Sequence, residues 1–379
     1  MAQRTAIADI FAPTTAGVAA RDYFTQNGLP NRRNEAFHFT DLARGIAQDI
    51  ESASVFHEYL APIAEIELRL LEDKILVMGR KAGVVISDFE PVAENDVFEK
   101  LIAGMARYAM KISIAANCNA QISVVRFPNS RSNIVIELGE NSTLNLIEKL
   151  EGDGGLSSFS CDILQAANSQ TQVQVQLLGN AAIDVSSIRA TLATGATYRE
   201  NMVSVGGKMV RRNLDIKLNG GGAKASFGGA YLLAGSHFDF SSNIEHLHPN
   251  CESHEVMRGV VANGAHAVFQ GKILVARGAQ KTIGNMEHRA LMLEDGARVN
   301  AKPTLEIYAD DVECSHANTV GALDESALFY MQSRGISKPR AKALLTEAFL
   351  AQVLDVMADE SAKTEMLDLV QRTLKGMIK

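Results

Sequence analysis

A cysteine and a histidine lie one residue apart in the stretch DVECSHANTVGALDESALFY, which runs from Asp311 to Tyr330. If this stretch begins as a β-strand, its two-residue period places Cys314 and His316 on one face and Ser315 on the other. A thiol and an imidazole side by side are suitable ligands for iron or zinc. The spacing is also compatible with Cys314 as a small apolar filler and His316 as a hydrogen-bonded residue at a strand end.

A second group of potential metal ligands lies in the segment IEHLHPNCESHE. His246 and His248 would share one face of a strand, and a turn after them would return Cys251 and His254 toward that face. Imidazole and thiolate ligands suit zinc or iron, so these four residues predict, as an alternative function, a metal-dependent enzyme. Their spacing matches no known zinc-site pattern, and the other interpretation is that they are polar residues of a β-structure.

Other enzyme classes find no support in the sequence. It contains no GxxxxGK[ST], GxSxG, HExxH or GxGxxG motif. Asp310 and Asp311 are adjacent, so on a strand they point to opposite faces and form no carboxylate pair. The absence of tryptophan and the low number of tyrosines, 7, argue against a carbohydrate-active enzyme with aromatic sugar platforms.

Composition indicates a globular protein with a large core. The 379 residues are 46% hydrophobic and 21% charged, and the length predicts more than one domain. A net charge of −7 argues against a nucleic-acid-binding protein with a broadly basic surface. No run of eighteen apolar residues occurs, so we expect no transmembrane helix. The four cysteines form no CxxC pair and the first residues lack a secretory pattern, which predicts a cytoplasmic protein.

The hydrophobic periodicity changes twice along the chain. From Thr15 to about Leu70 it is helical, in AGVAARDYFTQNG and FHEYLAPIAEIELRLLED, and Gly28 stands where a helix would end. From about Ile75 to His316 it alternates in short runs separated by glycine. In TQVQVQLL, for example, the glutamines take one face and three apolar residues take the other: Val173, Val175 and Leu177.

A Gly-Ala step recurs where these alternating runs break. It occurs at Gly195-Ala196, Gly222-Ala223, Gly264-Ala265, Gly278-Ala279 and Gly296-Ala297. The intervals are irregular, but a coil that stacks each turn on the last needs tight turns at similar places, and glycine permits the positive φ that such turns use. We therefore predict a parallel β-helix, with a β-sandwich as the second choice.

Helices are predicted again after Val320. Asp324 is a suitable N-cap, and Gly335 is a suitable terminator. The next helix would place Leu344, Leu345, Ala348 and Phe349 on one apolar stripe, and a last helix would carry Met366, Val370, Leu374 and Met377 on another. These stripes predict either packing of the two helices on each other and on the end of the β-helix, or a docking surface.

Several of these segments together resemble the SufB/SufD family of the SUF iron–sulfur cluster assembly system. The segments are GLPNRRNEAFHFTDL, HLHPNCESHEVMRGVV, FQGKILVARGAQKT, KPTLEIYADDVECSHANTVGALDESALFYMQSRGI and AKALLTEAF. The form DDVxCSHxxTVGxLDExALFY resembles SufD and not its paralogue SufB. Two departures are Phe37, where the family usually carries tryptophan, and NMEHRALML with His288, where it often shows an Asn-x-Asn run.

The resemblance implies a right-handed parallel β-helix over residues 75–317, between an N-terminal helical domain over 1–74 and a C-terminal helical domain over 318–379. It implies a non-catalytic scaffold that pairs with a SufB-like paralogue and docks a SufC-like ATPase on its C-terminal helices. For that docking surface we expect Leu345 and Phe349, with the flanking basic residues Arg340 and Lys342. A homodimer of the isolated chain is the alternative assembly.

The resemblance also assigns the first pair of residues. His316 matches the family histidine at the SufB–SufD interface, which helps to hold a nascent iron–sulfur cluster, and Cys314 matches a neighbouring family cysteine. The cluster would be transient and shared with SufB, and the isolated chain is expected to hold none stably.

Overall fold

The computed structural model describes residues 10–47, 62–92, 95–179, 182–354 and 360–377. It is mainly β, a solenoid of about eight turns with helices near both ends of the chain. Its two long sheets contain ten and nine strands, and consecutive strands from β4 onward alternate between the sheets. The strands within each sheet are parallel, apart from β2 and β3, which pair antiparallel with β1 and β4. The prediction of a parallel β-helix is therefore confirmed, and the sandwich is excluded.

The strands have the following bounds: β1 Ile66–Leu70, β2 Ile75–Gly79, β3 Val84–Asp88, β4 Tyr108–Ile114, β5 Asn119–Arg126, β6 Arg131–Leu138, β7 Thr143–Leu150, β8 Leu156–Gln165, β9 Gln170–Leu177, β10 Ile183–Leu192, β11 Thr197–Val205, β12 Met209–Leu218, β13 Lys224–Ala234, β14 His237–His246, β15 Glu252–Ala262, β16 His266–Val275, β17 Thr282–Met292, β18 Arg298–Ile307 and β19 Val312–Gly321. The helices are α1 Thr15–Asn27, α2 Leu42–Ala47, α3 Val97–Met105, α4 Glu325–Ser333, α5 Lys338–Leu354 and α6 Glu360–Met377.

The solenoid interior is built from alternate residues of each strand. Val173, Val175 and Leu177 of β9 are buried in the central apolar cluster, as their alternation with glutamine predicted. The alanines of the Gly-Ala steps also enter this cluster, and all of them except Ala279 directly precede the next strand. Gly195, for example, adopts φ 67°, and Ala196 after it is fully buried. In such a turn the positive φ of glycine lets the chain reverse, and the alanine after it is buried before the next strand begins.

A buried ionic network crosses the middle of the interior and joins both sheets. Arg212 on β12 contacts Glu148 on β7 at 2.9 Å and Glu200 on β11 at 3.4 Å. Arg126 on β5 contacts Glu148 at 2.6 Å and also binds Asp184 on β10. Burial raises the pKa of Asp184 and of Glu200, whereas the two arginines hold the pKa of Glu148 below its ordinary value. Since the network has three carboxyl groups and two guanidinium groups, its members depend on one another for neutralisation.

The N-terminal helices pack on the outer face of the second sheet. Helix α1 is capped by the Thr14 hydroxyl and ends at Gly28, which has φ 75°, as expected. Helix α3 lies between β3 and β4 and contributes Phe98 and Leu101 to the cluster that joins these helices to β8, β10 and β12. The helical prediction for FHEYLAPIAEIELRLLED is wrong over Ile66–Leu70, which forms β1, because Ile66, Leu68 and Leu70 also alternate with period two. The part of that segment before residue 62 lies outside the described residues.

The last two helices, α5 and α6, pack on the outer face of the first sheet, not on the end of the solenoid. Helix α4 is capped by Asp324, and Gly335 after it adopts φ 84°. The predicted stripe of α6 is confirmed: Met366, Val370, Leu374 and Met377 are buried. They meet Leu350 and Val353 of α5 and small apolar residues on the outer faces of β11, β13 and β15. Within the described ranges, no helix combines the length and apolar character needed to cross a membrane.

Candidate functional site

The last turn of the solenoid leaves its interior face open. Strands β18 and β19 occupy the edge positions of the two sheets. On β19, Val312, Cys314 and Val320 pack against the central cluster, so the even-numbered residues form the inward row. His316 and Asn318 belong to this row but are exposed, because no further turn covers them in the part of the chain that the structure describes. The structure therefore places Cys314 and His316 on one face, as the two-residue period predicted.

Cys314 is half-buried beside Gly284, its register partner on β17. A Cβ atom on Gly284 would lie 3.3 Å from the Cys314 Sγ and 3.7 Å from the His246 Nε2, so glycine leaves space between the thiol and the imidazole. Burial raises the pKa of the Cys314 thiol, and a hydrogen bond from the Gly284 backbone opposes that shift. Cys314 therefore favours the neutral thiol, and binding of a metal would have to displace its proton.

His316 lies next to a buried apolar side chain of the neighbouring strand. Its register partner on β17 is Met286, which is buried and whose own partner on β15 is the buried Glu255. The Met286 sulfur occupies space left by Gly271 on β16, since a Cβ there would lie 2.4 Å from it. Among the described residues, no side chain hydrogen-bonds to the His316 ring, so the imidazole is available to coordinate a metal ion from outside the chain.

The alternative metal site at His246, His248, Cys251 and His254 does not form. Strand β14 ends at His246, whose ring lies inside the solenoid 2.8 Å from the Ser253 hydroxyl. Cys251 is also buried and donates to a backbone carbonyl, whereas His248 lies exposed in the turn and His254 on the outer face of β15. No group of three or more potential ligands is positioned for a metal within the described residues. The prediction was wrong because the turn separates inward from outward positions.

The residues predicted for ATPase docking lie on α5, with different exposures. Arg340 is exposed, and Lys342, Leu345 and Phe349 are partly exposed. The Phe349 ring also packs on the solenoid, where the Arg258 guanidinium lies 5.9 Å from its centre. The buried face of α5 is formed by Ala341, Thr346, Leu350 and Val353, so the predicted apolar stripe is rotated and Ala348 is exposed. The two basic residues and Leu345 remain accessible to a partner.

Asn318 lies in the same inward row as His316, and the sequence analysis did not single it out. It follows His316 in the inward row of β19, and its Oδ1 lies 2.8 Å from the Nδ1 of the buried His288. The period of two that joined Cys314 to His316 also points to Asn318. The interaction with His288 joins the open end to the solenoid interior.

Comparison with known proteins identifies the class. Residues 116–349 match the profile of the SUF system FeS cluster assembly SufBD core domain. The chain is 36% identical over 186 residues to the iron–sulfur cluster assembly protein SufD of Escherichia coli (strain K12), covering 49% of this chain and 44% of the relative. It is 31% identical over 237 residues to the SufBD family protein slr0076 of Synechocystis, covering 62% of this chain and 52% of the relative.

A SufD of Plasmodium falciparum is 26% identical over 249 residues, 64% of this chain and 17% of that relative. The chain thus spans about half the length of the two bacterial relatives. A parallel β-solenoid with flanking helices places the chain in the class of β-helical proteins. Because the profile covers more than half of its residues, the chain belongs to the SufB/SufD family, and it is SufD-like.

Proposed function

We propose that this chain is a SufD-like scaffold component of a cytoplasmic complex that assembles iron–sulfur clusters. It pairs with a SufB-like paralogue through its open last turn and docks a SufC-like ATPase on its C-terminal helices. It turns over no substrate itself. The observation that carries the proposal is the uncovered inward row of the edge strand β19. In this row Cys314 is half-buried and His316 is exposed.

The open end has the properties of a strand-pairing surface. An edge strand presents unpaired backbone groups, and pairing with a strand of another chain satisfies them. A partner with a similar last turn would also cover the exposed inward row, which otherwise faces solvent. The segments beside β19 carry exposed large apolar residues, namely Ile307, Tyr308, Phe329 and Tyr330. These side chains would extend the same interface beyond the strands.

The ligand set of this end is incomplete for a cluster. A neutral imidazole and a thiolate suit iron, but clusters are usually held by four protein ligands. His316 and Cys314 therefore provide at most half of such a set, and the rest must come from a second chain. Since the exposed imidazole is the more accessible donor, His316 is the main ligand in this proposal and Cys314 the accessory one. The cluster is the cargo of the complex and is passed on.

Co-purification tests this function. The chain is expressed with SufB-like and SufC-like partners, purified without oxygen, and assayed for iron and acid-labile sulfide. We expect a stable complex that carries both elements, and an isolated chain that carries neither after the same purification. An isolated chain that retains iron at full stoichiometry, or one that never binds the SufB-like partner, would contradict the proposal. Size-exclusion chromatography of the isolated chain decides whether the open end pairs with a second copy when the partner is missing.

Charge reversal on α5 tests the docking surface. Arg340→Glu with Lys342→Glu should lower retention of the SufC-like ATPase at least about tenfold in a pull-down, because both basic side chains of the proposed surface would become acidic. Both positions lie off the buried face of the helix, so the fold should be unchanged. The matched control is Lys74→Glu with Arg80→Glu, which reverses two exposed charges at the first turns of the solenoid, away from the C-terminal helices. Full retention in the first variant, or equal loss in the control, would rule out this surface.

A further inference from the structure

A buried hydrogen-bond relay runs from the interior of the solenoid to its open end. The Tyr231 hydroxyl on β13 lies 2.9 Å from the Nε2 of His288 on β17, and the His288 Nδ1 lies 2.8 Å from the Asn318 Oδ1 on β19. Tyr231 and His288 are buried, whereas Asn318 is exposed. The relay therefore ends beside His316, in the inward row of the last strand.

The packing fixes the geometry of this relay. The His288 ring is stacked on the Phe269 ring, with ring centres 4.7 Å apart. It is also stacked on the Tyr231 ring, with ring centres 6.1 Å apart. Tyr231 reaches His288 by lying across Gly259 on β15, where a Cβ would come within 1.8 Å of its ring. Any other residue at 259 would displace the tyrosine. The rings of Tyr231 and His288 therefore cannot rotate freely. Which atoms donate and which accept along the relay then depends on the tautomer of His288.

The donor direction follows from the hydroxyl. Within the described residues, His288 is the only hydrogen-bond partner of the Tyr231 hydroxyl, so a buried hydroxyl proton would be unsatisfied unless it is donated to Nε2. The histidine is then neutral and carries its proton on Nδ1, which donates to the Asn318 Oδ1. Burial lowers the pKa of His288 to about 4, although the hydrogen bond with Asn318 acts in the opposite direction, and this agrees with a neutral ring.

We propose that this relay orients the Asn318 amide so that its NH2 group points away from His288 into the open end, as a hydrogen-bond donor beside His316. This inference rests on the proposed function and deepens it, because a group bound at the open end would then present a hydrogen-bond acceptor to the Asn318 NH2. A cluster sulfide is an acceptor of that kind, and N–H groups hydrogen-bonded to cluster sulfurs tune such sites. Asn318 is a binding residue, and Tyr231 and His288 are its positioning residues.

The first test measures the protonation state of the His288 ring in the isolated chain. The nine histidines of the isolated chain are labelled with 15N, and the His288 signals are assigned by their loss in His288→Gln. We expect ring shifts of the neutral form with the proton on Nδ1 at pH 7. In Tyr231→Phe, which removes only the hydroxyl, the Nε2-protonated form should gain population. A ring protonated on Nε2 or on both nitrogens in the unaltered chain would overturn the relay.

The second test reads the donor. Asn318→Asp keeps the shape and the acceptor for His288 but replaces the outward NH2 with an oxygen, so iron and sulfide in the complex should fall about tenfold. Asn285→Asp is the matched control, since it adds the same charge on the outer face of β17 and can still accept from the Ser315 hydroxyl. It should retain its cluster. Equal cluster content in Asn318→Asp and Asn285→Asp would refute the donor.

The two failures can be told apart. If His316→Ala loses the cluster and Asn318→Asp does not, the inference about Asn318 is wrong and the proposed function stands. If His316→Ala and Asn318→Asp both retain the cluster, the proposed site and the donor both fail. The ring shifts of His288 decide the relay in either case. Asn318→Ala provides a second variant should the aspartate disturb pairing of the strand.

Discussion

A His316→Ala variant is expected to assemble with its partners and to carry little iron. The ring is exposed at the edge strand, and its removal leaves the buried Met286 beneath it in place. The free energy of unfolding should therefore change by no more than about 0.5 kcal/mol, the range of surface substitutions. Iron and acid-labile sulfide in the purified complex should fall about tenfold or more, since even residues that only support a metal ligand cost tenfold or more.

The control for this variant is His254→Ala. His254 is also exposed and also lies on a strand of the first sheet, but it is on the outer face of β15. Its replacement should leave iron and sulfide unchanged. Cys314→Ser should have a smaller effect than His316→Ala, because the Cys314 thiol is half-buried and favours its protonated form. A complex with His316→Ala that holds its full iron and sulfide would remove His316 from the site.

Replacement of Arg212 by methionine should be the most destabilising single change discussed for this chain. The guanidinium is fully buried and contacts Glu148 and Glu200, so its loss leaves buried carboxylates without half of their neutralising charge. Breaking a buried ionic interaction by removing one partner costs about 3–5 kcal/mol. We expect the urea midpoint of the isolated chain to fall accordingly, measured by circular dichroism.

Arg199→Met is the matched control for that change. Arg199 lies on β11, next to Glu200 in sequence, but its side chain is exposed on the outer face. Its replacement should shift stability by no more than about 0.5 kcal/mol. If the urea midpoints of the two variants coincide, the network does not stabilise the interior.

The sequence predicts local features of this fold well because they follow from periods of two and 3.6. The inward row of Val173, Val175 and Leu177, the cap at Asp324 and the buried stripe of α6 were all predicted from local pattern. So was the shared face of Cys314 and His316. By contrast, Ile66–Leu70 was predicted as helix, because the apolar residues around it fit a helix as well as a strand.

Features that depend on distant strands were not predictable. Arg126 and Asp184 are 58 residues apart in sequence and meet only because the coil stacks their turns. Tyr231 and His288 are separated by 57 residues, and their contact also needs Gly259 between them. The separation of His246 from His248 depended on where β14 ends, which the alternation does not determine. Sequence patterns define faces of strands, whereas the contacts between turns require the register of the solenoid.

Hydrogen exchange at the open end tests the central claim most directly. Backbone amide exchange is measured by mass spectrometry for the isolated chain and for its complex with the SufB-like partner. Pairing through the last turn predicts strong protection across Arg298–Ile307 and Val312–Gly321 in the complex, with unchanged exchange at the opposite end, over Ile75–Gly79 and Val84–Asp88. Protection confined to that opposite end, with β18 and β19 exchanging as in the isolated chain, would contradict the account.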